Sequence, residues 1–487
     1  MPPWGDRTVR LETDMFERGK LGNSLFVIVV LACFASSAVA QPNFTIGQNF
    51  TGSTLGIDSG FAPPDTMGAI GPSHFVELIN GRYSVYNKAN GTRVQTSTLN
   101  AFWTNAGATP SGAFAFDPRV LYDPFSQRWF ATSVDNARAA NNFLVAVSQT
   151  SNPTQGWNAF KIDSDTGNQE WADFPTMGID SDGLYISANM FSLVGGNSST
   201  SMLVLPKSDL LLGTPTVANR TLFENVNPNS TGFSVQPIVD MDNSGLPLPI
   251  LSAFNTGAGR LLRADVTGTA ASPNYPVNSS LIAVAGLGDP PFARQPGPHD
   301  NLDTGDARFS GNVVLQGGSI WGTQGVNRNG RPAIRWFEIR ESDNSVLQSG
   351  FIEDSSLGFF YPSIAVNDFG HVVIGFSGSS DTQNVSSYAV VGGTTAGTTT
   401  FGAPTILKAG ASDYEVLVRG VNRWGDYSAT TVDPSNQLHF WTTQEWVSGT
   451  DVWSTQITEI IVPEPGTLTA LAFGGLLALM RKRRRRR

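Results

Sequence analysis

The sequence predicts an all-β fold, a β-propeller of seven blades, and three observations carry that expectation. Residues 41–461 show almost no helical periodicity and are rich in Gly, Pro, Ser, Thr and Asn. Within them, short strand-like runs at 75–79, 143–147, 183–187 and 371–375 are bounded by turn residues. A loose repeat then opens at 64–71, 117–124, 173–180, 235–240, 306–309, 360–367 and 425–433, giving units of roughly 50–70 residues.

Each unit begins with an Asp or Asn turn, continues into a strand, and is followed by a second strand. The first runs Pro64-Asp65-Thr66-Met67-Gly68 and leads to a strand at 83–87. The second, Asp117-Pro118-Arg119-Val120, leads to 128–131 and 143–147, and the third, Asp173-Phe174-Pro175-Thr176, to 183–187. A four-stranded sheet cannot bury both faces alone, so such units have to stack radially. Residues 44–57 would supply the strand that closes the ring beside the last unit. The alternative architecture is an irregular pair of β-sandwiches. Trp424, Trp441, Trp446 and Trp453 suit either a sugar-stacking surface or blade cores, and core packing is the simpler account.

Three phrases, 63–76, 147–157 and Arg423-Trp424-Gly425-Asp426-Tyr427-Ser428, are similar to phrases that recur in large bacterial exported β-propeller proteins. Sialidase and BNR-repeat propellers are the best-known relatives of that group. The resemblance implies an architecture and not a chemistry. The nearest approach to an Asp-box, Asp163 to Trp171, lacks the first Ser and carries its Trp one place late. The sialidase arginine cluster and Tyr–Glu nucleophile pair cannot be placed on this chain.

The two ends address the protein. Arg18 and Lys20 precede an apolar run at 25–34, and Ala38-Val39-Ala40 precedes Gln41. This is a charged region, a hydrophobic region too short to span a bilayer, and a small-x-small cleavage site. Residues 1–40 are therefore expected to be a signal peptide cleaved between Ala40 and Gln41, with Met15 as an alternative start. At the other end, Val462-Pro463-Glu464-Pro465 precedes an apolar stretch at 468–480 and a basic cluster at 481–487. That order closely resembles the PEP-CTERM tail of Gram-negative exported proteins. The resemblance implies that an exosortase recognises 462–465 and removes the helix 468–480. An ordinary single-pass anchor is the other reading, with the Arg cluster held in the cytoplasm. Either way residues 41–461 are expected beyond the inner membrane.

Composition narrows the partners. The single Cys, Cys33, lies within 1–40, so the mature body would hold no disulfide, thiolate nucleophile or cysteine-ligated metal. Without 1–40 and 481–487 the net charge is −16. Such a body repels anionic polymers, and nucleic acid is not expected as a partner.

Candidate sites stand beside plainer accounts. The loop 296–308 packs His299, Asp303, Asp306 and Arg308 into a Pro-rich connection. Its residues would bind a metal or act as general acid and base, or else would simply form a rigid link with Asp306 and Arg308 paired. Asp240, Asp242 and Asn243, followed by Gly245, open like a Ca²⁺ loop but lack its distant bidentate Glu. An Asx turn with a left-handed glycine is the favoured account of them. His74, His371 and His439 lie in or beside strand-like runs and read as structural. No cofactor is called for. The leading expectation is an exported surface or matrix protein with a binding or structural role, extracellular glycan being one possible ligand. The alternatives are a secreted glycan-active enzyme centred near His299–Arg308 and a Ca²⁺-stabilised adhesin.

Overall fold

The computed structural model describes residues 44–464, apart from 246 and 256. The signal-peptide and cleavage expectations (Ala38, Ala40, Gln41), Pro465, the apolar stretch 468–480 and the basic cluster lie outside the described residues. No helix among the described residues is long and apolar enough to cross a membrane.

The body is an all-β propeller. Strands Gly68–Ile70, His74–Ile79, Arg82–Asn87 and Arg93–Thr98 pair in chain order as one antiparallel sheet. Ala115–Asp123, Arg128–Asp135, Asn142–Ser148 and Trp157–Asp163 repeat the pattern. Further sheets of this form start at Gln236–Pro237 and Gly358–Val366, and one starts at Ala429–Val432. A nine-stranded sheet joins the run that starts at Glu170–Ile179 to the run ending at Val346–Ile352, through parallel pairing of Val239–Asp240. The first strands of successive runs touch, with Val239–Asp240 making the link to Val314–Gln316, and Ala429–Val432 returns to Gly68–Ile70. A closed ring of inner strands rules out the pair of sandwiches.

Closure is made where the sequence placed it. Thr45–Thr54 pairs antiparallel with Val452–Ile461, setting Thr45 opposite Ile461 and Thr54 opposite Ser454. Glu77, fully buried in the neighbouring sheet, locks this seam. Its carboxylate accepts from the Ser53 amide at 3.2 Å, the Ser53 hydroxyl at 2.6 Å, the Tyr86 hydroxyl at 2.9 Å and the Thr455 hydroxyl. Four donors replace the water that a buried carboxylate gives up.

Apolar side chains from facing sheets fill the spaces between them, as alternation along a strand requires. Val76, Leu78 and Val85 pack with Trp129 and Leu144, and Phe130 and Val145 pack with Leu184 and Ile186. Trp424, Trp441, Trp446 and Trp453 are all buried, which agrees with core packing. Short helices escape the strand-only reading, the longest of them among the described residues at Leu99–Ala106. Thr98 caps it by accepting from the Ala101 amide, Gly107 ends it at φ 112°, and Leu99, Phe102 and Trp103 are buried beneath it. The unit opening expected at 306–309 is a loop, and its strand begins later, at Val314–Gln316.

The repeated phrases prove to be a backbone device. Asp65, Asp117, Phe174, Ser234 and Tyr361 have φ of 51°, 51°, 52°, 52° and 50°. Left-handed backbone at a non-glycine residue is uncommon and costs energy unless the surroundings enforce it. In three inner strands the residue lies within a β-bulge, between Phe116 and Arg119, Asp173 and Thr176, and Phe360 and Ser363. In each of these a proline follows, where the ladder needs no N–H. Such bulges turn side chains toward the axis.

Glu77→Ala is expected to lower the unfolding free energy by about 3 kcal/mol, because it strands several buried donors at the closure. Urea denaturation checks this, and a change below about 0.5 kcal/mol would contradict the role assigned to Glu77.

Candidate active site

At the end of the axis where the bulges lie, a cavity of about 270 Å³ opens, lined by Asp173, Asp303, Asp306, Arg308, Tyr361, Arg423 and Asp426 among others. Asp173 stands on the bulge of its inner strand. Asp303, Asp306 and Arg308 come from the loop that precedes Val314–Gln316, and Arg423 and Asp426 from the segment that leads into Ala429–Val432. Loops on a rigid ring thus meet strand-borne carboxylates.

Behind Asp173, a row of acids runs into the ring. Asp117 lies within hydrogen-bond reach of both Asp65 and Asp173. It also accepts from the Phe174 amide at 2.9 Å, while Asn80 donates to Asp65 at 2.6 Å. Burial is the first cause raising the Asp65 and Asp117 carboxyls, and the charge of Asp426 adds to it. Asp173 is pushed up to about 8, by burial first and then by Asp117 and Asp426. Like charges this close cannot all ionise, so the row shares protons and titrates as a unit. Burial also raises Asp303. Asp306 behaves differently. Burial pushes it up, but two hydrogen bonds from the Arg308 guanidinium, at 2.7 and 2.6 Å, prevail and hold it below the usual carboxylate range.

Cations balance part of this charge. Arg423 pairs with Asp426 and lies 3.2 Å from Asp303. Arg308 sits 4.6 Å from the centre of the Phe174 ring. Arg119 is only 1% exposed and lies 3.5 Å from the centre of the Tyr427 ring. It donates to the carbonyls of Pro175 at 2.9 Å and Ser310 at 3.0 Å. Burial lowers its pKa, and the nearby acids oppose that shift. Tyr361 is 6% exposed, and its hydroxyl has no hydrogen-bond partner. An orphaned hydroxyl on a cavity wall is a group ready for a ligand.

The candidates from the sequence part company here. Asp303, Asp306 and Arg308 line the cavity, whereas His299 is absent from its wall. His299 instead bridges Glu415 at 3.1 Å and Asp413 at 3.3 Å, and the Glu415 hydrogen bond raises its pKa. Asp240 accepts from the amides of Asp242, Ser244 and Gly245, and Asp242 accepts from those of Gly317 and Gly318. Asn243 has φ 54°. These oxygens serve turns. Among the described residues no group of three or more His, Cys, Asp or Glu is arranged to hold a metal. Val462 donates its amide to Leu438, directly after the last strand, and Pro463 and Glu464 follow it. Asp65, Asp117, Asp173, Tyr361, Arg423 and Asp426 were not singled out as site residues in the sequence. Their signal was present as the repeat itself, since each lies in one of the recurrent phrases.

No protein-family model matches the chain, and no curated protein does. Solved structures with a similar architecture include an α-L-arabinanase of Penicillium chrysogenum complexed with arabinobiose, at 9% identity and TM-score 0.39 over 85% of this chain and 98% of that one. A Trypanosoma rangeli sialidase in complex with 2,3-difluorosialic acid has 10% identity and TM-score 0.36, over 71% of this chain. This chain spans 53% of that sialidase, about half its length. A Hadza microbial sialidase is similar at 12% identity and TM-score 0.36, covering 79% and 73% of the two chains.

The raised carboxyls fix a pH dependence. An acid whose folded pKa lies above its unfolded value favours the fold at low pH, and that advantage is lost as pH rises through the folded value. For Asp173 the window runs from about 4, the unfolded value, to about 8. Asp173→Asn is therefore expected to flatten the decline of Tm between about pH 5 and pH 8, measured by calorimetry. A slope unchanged from the wild type would contradict a raised Asp173.

Proposed function

We propose that this chain is an exported propeller enzyme that cleaves glycosidic bonds at the axial cavity. The observation that carries this reading is the Asp173 carboxyl, held near pH 8 while it faces a cavity it shares with Asp426. Glycosidic cleavage needs one protonated and one ionised carboxyl flanking the bond. Asp173 is the general acid in this scheme and donates a proton to the leaving oxygen. Asp426, oriented by Arg423, is the partner carboxylate, and Tyr361 offers its unpaired hydroxyl to a sugar hydroxyl. Arg308 and Arg423 are already engaged by Asp306 and Asp426, so neither guanidinium is free to take a ligand's carboxylate. That pairing favours neutral glycans over uronates or sialates. A proton-bearing acid in a cavity supports catalysis over the purely binding role that the sequence alone puts first.

The remaining features complete the proposal. Reading the nine-stranded sheet as two blades gives a ring of seven. Residues 1–40 direct export, and the 462–487 tail, which resembles a PEP-CTERM signal, delivers the ring to the cell envelope through an exosortase. The enzyme would then work at the cell surface or in the surrounding matrix.

A panel of neutral aryl glycosides and polysaccharides tests the activity by reducing-end release. Asp173→Asn is expected to lose about 10²–10⁴-fold in kcat with its circular dichroism unchanged, the range that general acid catalysis supplies. Activity with an activated leaving group should suffer least. Release from no neutral substrate, or an unimpaired variant, would overturn the proposal.

A further inference from the structure

The two ends of the ring differ in chemistry. Inner strands run in one direction around the axis, so their starts form the acidic cavity and their ends meet at the opposite face. There a second cavity, of about 230 Å³, is walled by Ile70, Leu121, Val239, Val314, Val366 and Val432. Phe125, on its wall, and Phe369, beside its lining residue Asp368, are each 49% exposed. Large apolar side chains left in water around an apolar opening mark a contact surface.

The described chain also enters and leaves at this face. Thr45 pairs with Ile461, and Phe44 and Val462 pack against Ala365 and Val432 near the apolar cavity. Val462 is pinned through its amide to Leu438, next to the cavity residue Gln437. Only residues 463–467 then separate the ring from the apolar sequence at 468–480, and two of the five are prolines. Five residues reach no further than about 18 Å.

We infer that, until the tail is cut, this apolar face of the ring rests on the lipid surface with 468–480 embedded, and Phe125 and Phe369 lie in the interfacial layer. The acidic cavity then points away from the bilayer, open to bulky glycans. The inference depends on the membrane reading of the tail, not on the catalytic one. Amphipathic surfaces of this kind enter the headgroup region without spanning it. Two exposed carboxylates at this face, Asp242, which accepts from the Gly317 and Gly318 amides, and Asp368, which accepts from Gln316, keep their charge and belong with the polar headgroups rather than the acyl chains.

Cys33 is the chain's one cysteine, so site-specific labelling of the full chain in a Cys33→Ser background reads the geometry directly. A polarity-sensitive fluorophore is placed at Phe125→Cys, Phe369→Cys, Leu471→Cys, or Val194→Cys, which lies on the loop beside cavity residue Phe191 at the acidic end. The protein is reconstituted into zwitterionic vesicles with brominated acyl chains. Quenching at 125 and 369 at least about threefold above that at 194, with strong quenching at 471, is the expected result for interfacial residues. Quenching at 471 alone would overturn the inference and leave the tail reading intact. No quenching at 471 would defeat the tail reading and the inference with it. Shielding of 125 and 369 from aqueous iodide without quenching by bromolipid would assign the face to a protein partner and also overturn it.

Discussion

The ring depends on axial side chains that donate to backbone carbonyls of other units, three of them two residues beyond the left-handed Asp117, Phe174 and Ser234. Arg119 donates to Pro175, Thr176 to Val235 at 2.6 Å, and Gln236 to Phe309 at 2.7 Å. Ser428, which follows no bulge, also donates across units, to the Tyr361 carbonyl at 2.8 Å. The inner strands are buried along most of their length. Their backbone carbonyls must find donors within the protein or bear the cost of burial. Each such bond contributes on the order of 1 kcal/mol, but its geometric effect is larger, because it fixes the height and rotation of one sheet against another.

This stitching explains why acids accumulate at one end of the axis. Asp65 and Asp117 are themselves left-handed and Asp173 directly precedes the left-handed Phe174, and together they form the row of acids at that end. Once carboxyls share so small a volume, protonation is imposed by desolvation and mutual repulsion. Asp426 contributes to the raised state of Asp65, Asp117, Asp173 and Asp303 alike, so it is the electrostatic centre of the group. Buried Glu445 is raised for the same two reasons, burial and Asp426. Structural necessity and acid–base capacity thus share one origin. The strained bulge holds the ring together and also aims the acid.

Much of the architecture was legible because propeller strands announce themselves by alternation and by punctuation. The strands around 75–79, 143–147, 183–187 and 371–375, and the closing strand from the N-terminal side, follow from residue type alone. The Leu99–Ala106 helix was hidden because eight residues hold barely two turns, too few for a period to register. The site was half legible. Asp303, Asp306 and Arg308 stood out because they crowd one loop. Asp117 and Asp173 did not, because each looks like an ordinary turn residue until the ring brings them together across 56 positions of sequence. His299 misled for the complementary reason. Its neighbours in sequence face the cavity, while its own ring turns to Asp413 and Glu415.

The central claim is that the axial row keeps a proton near neutrality. Carbon-detected NMR of ¹³C-carboxyl-labelled aspartate, compared between wild type and Asp173→Asn, measures that proton directly. The account requires a carboxyl resonance that titrates with an apparent pKa near 8 and vanishes in the variant. If every aspartate resonance lost in the variant titrated near 4, the ordinary carboxylate value, the axial acids would be ionised and the account would be wrong.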